Sequence, residues 1–119
     1  MEASVTNVFA YGILTFPEVM EFHCSKKYES CKATLHGFSR RQAIDSPSAG
    51  IKESEGEKVS GILYFDLEAE DLAKLDILEN VATGKYVRRK VSVETEGGER
   101  WALAYVFGDP ARLGVQDWD

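Results

Sequence analysis

The stretch Asn7–Val19, NVFAYGILTFPEV, decides the reading of this chain. It opens on β-branched and aromatic residues, breaks at Gly12 and meets Pro17 five residues later. Val5 to Tyr11 reads as a strand. Thr15-Phe16-Pro17-Glu18 fits a capping box, with Thr15 as the cap, Glu18 three residues on and Pro17 in the first turn. A short helix is therefore expected from about Phe16 into Phe22 or slightly beyond. Gly12 lies at the junction, where glycine permits a sharp turn or a close backbone approach. The N–H groups of Gly12, Ile13 and Leu14 precede a helix and have no obvious intrahelical partner. Such donors suit a carboxylate or a developing oxyanion. The plainer reading of the same residues is an ordinary strand-to-helix turn.

Moving outward, Lys32 to Arg40 (KATLHGFSR) reads as a second strand, with Gly37 marking a bulge or bend. Ser46 to Lys58 is rich in Ser, Gly, Pro and Glu and has the composition of a mobile surface loop. Val59 to Leu67 is the most apolar strand, again interrupted by a glycine, Gly61. In EAEDLAKLDILEN, Leu72, Leu75 and Leu78 recur every three residues behind an acidic start, which predicts a helix over about Glu68 to Leu78. Tyr86 to Thr95 and Arg100 to Phe107 flank Glu96-Gly97-Gly98-Glu99 as a hairpin. In the second of these strands Trp101, Leu103, Tyr105 and Phe107 share one face, and Ala102, Ala104 and Val106 the other. The order β-α-β-β-α-β-β is that of an α+β chain with a small, closed or strongly curved mixed β-barrel flanked by short helices. No repeat or low-complexity segment interrupts it, so residues 1–119 read as one domain.

Composition removes several function classes. The 119 residues are 44% hydrophobic and 29% charged, which suits a globular chain. No apolar run nears the roughly 20 residues that a membrane-spanning helix needs. The start, Met-Glu-Ala-Ser-Val, places an acid where a secretory leader carries bases, so a cytoplasmic location is expected. A net charge of −6 argues against nucleic acid as a partner. Arg88-Arg89-Lys90 lies along a strand, where alternation splits it between two faces. Cys24 and Cys31 are too few for a disulfide framework. A zinc site from His23, Cys24, Cys31 and His36 does not match the usual short cysteine spacing, and no metal or cofactor is expected. A Cys24–His36 nucleophilic pair has nothing in the spacing to favour it.

Phosphate-binding, nucleophile-elbow and metalloprotease motifs are absent. Glu79, in LDILEN, is the remaining chemical candidate. It ends the apolar stripe at a helix C-terminus, where the dipole disfavours negative charge. Burial there would raise its pKa, as a general base requires. Asp76, one turn earlier, reads as an exposed partner for Lys74 or solvent.

These pieces together resemble the gamma-glutamylcyclotransferase-like superfamily from about Val8 to Phe107. Tyr11-Gly12-Ile13-Leu14 followed by Pro17 matches its Tyr-Gly-Thr/Ser-Leu turn. Ala33, Leu35, Gly37 and Phe38 match its Ala-x-Leu-x-Gly-Phe/Tyr strand. Val59-Ser60-Gly61-Ile62-Leu63-Tyr64 matches Val-x-Gly-x-Leu-Tyr. Leu75-Asp76-Ile77-Leu78-Glu79, then Tyr86, Arg88, Val91 and Val93, match its Leu-Asp-x-x-Glu and Tyr-x-Arg-x-x-Val-x-Val signatures. The resemblance implies a small β-barrel with one cavity at its mouth, lined by the glycine turn and entered by Glu79. It implies cyclisation of a gamma-glutamyl group, releasing 5-oxoproline and a free amine or amino acid without cofactor. On this reading Glu79 is the catalytic group. Tyr11, Gly12, Ile13, Leu14, Tyr86 and Arg88 bind or position a small gamma-glutamyl conjugate. One position departs from the family pattern: Ile13 stands where Thr or Ser is common, which removes a hydroxyl and keeps the backbone donors. That departure, with the acidic Gln116-Asp117-Trp118-Asp119, leaves a ligand-binding module without catalysis, or an interaction domain, as rival expectations.

Overall fold

The computed structural model describes residues 5–44 and 46–118. Its elements are β1 (Val5–Ala10), a one-turn 3₁₀ segment (Ile13–Thr15), α1 (Pro17–Cys24), β2 (Ser30–Gln42), β3 (Ala49–Glu68), α2 (Ala69–Leu78), β4 (Tyr86–Thr95) and β5 (Gly98–Phe107). This is the expected α+β order. The five strands close into a ring in the order β1-β3-β2-β4-β5. The neighbours are antiparallel except β1 and β5, which meet in parallel at Val8 and Leu103. The β2–β4 seam is equally narrow, at Thr34 and Glu94. A closed, mixed and strongly curved sheet is thus made from two long hairpins and a short first strand.

Strand alternation divides the core in two. Val8, Ala10, Tyr64, Leu67, Tyr105 and Phe107 face α1 and α2, where they meet Met20, Cys24, Leu72 and Leu75. Phe9, Leu35, Ile51, Leu63, Val93 and Ala104 point the other way, into the interior of the ring. The two faces assigned to β5 from sequence therefore serve two cores, although Trp101 lies at the outer end and is exposed.

Gly61 sits where β3 approaches β1 closely. A Cβ there would lie 2.2 Å from the Ala10 carbonyl oxygen and 2.7 Å from the Phe9 ring. The expected bulge at Gly37 is present: the β2–β3 register shifts between His36 and Phe38, and Gly37 has φ +82°. The hairpin at Glu96-Gly97 also forms as expected.

Three local readings need correction. Thr15 does not cap α1: the N-cap is Phe16, and Thr15 Oγ1 donates instead to the Gly12 carbonyl at 2.6 Å. The 3₁₀ turn places the hydroxyl behind the turn rather than over the helix. Most of Ser46–Lys58 is strand rather than loop. Ala49–Glu53 pairs with Phe38–Gln42, and Ile51 is wholly buried. Long-range pairing to an apolar partner overrides a polar local composition. Ser46–Ser48 precede the strand, and within it Ser54–Glu57 departs from the ladder, with Gly56 at φ +83° and the Ser54 hydroxyl donating to Glu57. Finally, the capping box belongs to α2: Glu68 and Asp71 satisfy each other's backbone N–H groups. The buried Asp71 carboxylate also receives the ammonium of Lys26 at 3.0 Å.

Candidate functional site

A cavity of about 510 Å³ opens where β1 runs into the glycine turn. Of the residues singled out from sequence, Tyr11, Gly12, Ile13, Leu14, Glu79 and Tyr86 all line it. Three separate elements deliver them: the β1–α1 junction, the C-terminus of α2 and the start of β4.

The turn is built from carbonyls satisfied behind it. Thr15 N donates to Gly12 O at 3.0 Å and Phe16 N to Ile13 O at 3.3 Å. The Tyr64 hydroxyl donates to Leu14 O at 2.6 Å. The N–H groups of Gly12, Ile13 and Leu14 donate to no protein acceptor among the described residues. Gly12 itself adopts a negative φ of −123°. A Cβ there would stand 3.3 Å from Ala49 Cβ.

Glu79 is the C-cap of α2, its N–H bonded to Leu75 O at 2.8 Å. The left-handed Asn80 then turns the chain away. No hydrogen bond reaches the Glu79 carboxylate among the described residues, an unusual state for a partly buried acid. Loss of water pushes its pKa up to about 7, with the Lys85 ammonium pulling the other way. Three tyrosines stand within reach of its charge. Tyr86 is pushed up to about 12, first by burial and then by Glu79. Tyr11 and Tyr105 are also raised, again chiefly by burial, with Glu79 contributing. Their hydroxyl protons are committed to protein acceptors: Tyr11 donates to Tyr105 O, Tyr86 to Ala49 O, and Tyr105 to Asp76 Oδ1 at 2.8 Å. The phenols are walls and braces, which leaves Glu79 as the group in the cavity poised to exchange a proton near neutral pH.

This burial has a consequence for stability that needs no activity. Unfolded, the carboxyl titrates near 4.5; folded, near 7, so between those values the native state holds more protons. Stability therefore falls as pH rises through this window. Glu79→Gln, which stays neutral, is expected to gain on the wild type from pH 5 to pH 8, by about 1–3 kcal/mol at the upper end. Urea unfolding at the two pH values checks it; an unchanged difference would mean that Glu79 is solvated.

Arg88 is not brought to the cavity. It lies on the same side of β4 as Tyr86, but two residues along the strand places it against α2. There its Nε is 3.3 Å from Asp76 Oδ1. The expectation for Asp76 is corrected with it: Asp76 is partly buried, joining Arg88 to the Tyr105 hydroxyl, while Lys74 reaches Cys24 O at 3.4 Å. The cysteine alternatives are not assembled either. Cys24 is fully buried in the helix-facing core, whereas His36 is exposed with Nε2 3.0 Å from Glu94. No group of three or more His, Cys, Asp or Glu is placed to hold a metal ion among the described residues.

Sequence reasoning passed over Tyr105, Lys85, Ser48 and Trp118, which also line the cavity. Tyr105 was visible in the alternation of β5. Lys85 Nζ lies 3.3 Å from Ser48 Oγ, a contact between the segments leading into β4 and β3 that only the folded chain makes. Nothing periodic marks Trp118.

The fold agrees with comparisons across known proteins. The family model described as gamma-glutamyl cyclotransferase, AIG2-like, matches residues 8–119. The chain belongs to that family. It is similar to AIG2-like protein D of Arabidopsis thaliana, with 28% identity covering 100% of this chain and 82% of that protein. Among solved structures, the solution structure of At5g39720.1 from Arabidopsis thaliana superposes with a TM-score of 0.79 at 26% identity, covering 96% of this chain and 78% of that one. A gamma-glutamyl cyclotransferase superposes with a TM-score of 0.77 at 25% identity, covering 87% of this chain and 67% of that one. No helix among the described residues is long and apolar enough to cross a membrane.

Proposed function

We propose that the protein is a gamma-glutamyl cyclotransferase acting on a small gamma-glutamyl amine or amino-acid conjugate, with Glu79 as its proton carrier. The observation that carries this reading is a carboxylate without a protein partner among the described residues, raised to about 7, in one cavity with Gly12, Ile13 and Leu14, whose N–H groups are also unpaired there. The substrate's α-amine attacks its own γ-carbonyl carbon. The new C–N bond closes a five-membered lactam as the original amide C–N bond breaks. The attacking nitrogen gives up two protons in becoming a lactam N–H, and the leaving nitrogen gains two in becoming an ammonium. Glu79 carries them one at a time, first as base and then as acid. The turn N–H groups hold the substrate carboxylate or the oxyanion. Because the attack is intramolecular, holding the glutamyl chain bent supplies much of the acceleration. Tyr11 and Tyr86 shape the pocket. Arg88 serves through Asp76 and Tyr105 as a positioning residue rather than by touching substrate.

Ile13 favours a second reading, a ligand-binding module without turnover, since it replaces a hydroxyl of the family pattern. Against that, Ile13 is 54% exposed, so the substitution alters the entrance and spares the backbone donors. Incubation with a panel of gamma-glutamyl amines and dipeptides decides between them. The enzyme releases 5-oxoproline and amine in equal amounts. Saturable binding with neither product would support the module instead.

A further inference from the structure

The segment after β5 returns to the cavity and is fastened there. Gly114 N donates to Gln42 O at 2.8 Å, and Gln42 N donates to Gln116 O at 2.9 Å. Arg40 then ties this strap to the glycine turn. Its Nη1 donates to Tyr11 O at 2.9 Å, while Nε and Nη2 reach the two carboxylate oxygens of Asp117 at 2.8 and 3.3 Å. The Trp118 ring packs over the same guanidinium, 5.6 Å from its centre, and its Nε1 donates to Pro47 O at 3.1 Å. An indole held from two sides in this way is a fixed surface, and it lines the cavity.

Exposure orders the lining residues by depth. Tyr11, Leu14, Tyr86 and Tyr105 are buried, whereas Ile13 and Pro47 are exposed and Trp118 is partly so. Ile13, Pro47 and Trp118 therefore form the mouth, and none of them carries charge. Lys85, a cation of the lining, sits 3.3 Å from Ser48 Oγ.

We infer that Trp118 is a specificity-determining residue: with Ile13 and Pro47 it forms an apolar wall for the leaving half of the substrate and selects conjugates of apolar or aromatic amines. This rests on the cyclotransferase reading, which places the glutamyl half at Glu79 and the turn and so sends the other half to the mouth. Ile13 then fits the same selection, since an apolar side chain replaces a hydroxyl on that wall.

The test compares gamma-glutamyl-phenylethylamide with gamma-glutamylglycine. Their kcat/KM values are measured for the wild type, Trp118→Ala and Trp118→Phe, and their Kd values by calorimetry for the same Trp118 changes in a Glu79→Gln background. Trp118→Ala is expected to weaken the phenylethylamide about tenfold and the glycine conjugate less than about twofold, with Trp118→Phe recovering most of the loss. Equal losses for both conjugates, or an unchanged ratio, would overturn the inference. A ratio that shifts in Kd without turnover of either conjugate in the wild type keeps the inference and removes the cyclotransferase reading. Turnover with an unchanged ratio does the reverse. Binding of neither conjugate removes both.

Discussion

Glu79→Gln is expected to lower kcat for 5-oxoproline release by about 10²–10⁴-fold, the range typical of losing a positioned general acid–base. Glutamine keeps the shape of the side chain and its place at the end of α2. It removes the titrating oxygen and nothing else that the fold depends on, because no hydrogen bond from a described residue reaches that carboxylate. KM is expected to change far less than kcat, since ground-state binding falls to the turn N–H groups and the cavity walls. Loss of folding cannot account for the result: the same variant is expected to be at least as stable as the wild type above neutral pH, where an ionised Glu79 is a burden. Activity within a few-fold of wild type would remove Glu79 from the mechanism.

Gly61→Ala is expected to destabilise the ring strongly. The added carbon would lie 2.2 Å from the Ala10 carbonyl oxygen, which is backbone and cannot swing aside as a side chain could. It would also press on the Phe9 ring at 2.7 Å. Relief requires parting β1 from β3 where Ala10 faces Ile62, one residue before the cavity turn begins. A loss of about 3 kcal/mol is expected, at the upper end for overpacking. What remains folded should also lose activity, because β1 carries Tyr11 and Gly12 into place. Gly97→Ala is the control: its nearest neighbour would be 3.4 Å away, on the end of Arg100, and a change below about 0.5 kcal/mol is expected. Urea denaturation of both variants checks the contrast; similar midpoints would mean that the ring tolerates an opening at this seam.

Much of this architecture is legible in sequence because local signals and tertiary demands agree. The β4–β5 hairpin needs only alternation around a glycine turn, and α2 needs only its leucine stripe. Gly12, Glu79 and Tyr86 are found because family spacing and strand or helix ends mark them together. The misreadings share a cause. The Ser46–Lys58 segment is polar because only its start, around Ala49 and Ile51, packs against the core, and its order comes from pairing with β2 that composition does not encode. Thr15 satisfies a capping pattern, yet the 3₁₀ turn offers its hydroxyl a nearer acceptor. Arg88 matches the family signature by position, but its partner Asp76 comes from another element. Trp118 has no local signal at all, since its placement depends on Arg40, which is 78 residues earlier.

The pH dependence of kcat/KM for 5-oxoproline release reports directly on whether Glu79 is the proton carrier. On the proposed mechanism Glu79 is ionised when it accepts the ammonium proton, so the rate is expected to rise about tenfold per pH unit below neutrality and to bend at an apparent pKa near 7. A bend at the ordinary glutamate value, a flat profile from pH 5.5 to about 7.5, or no 5-oxoproline at any pH would contradict it.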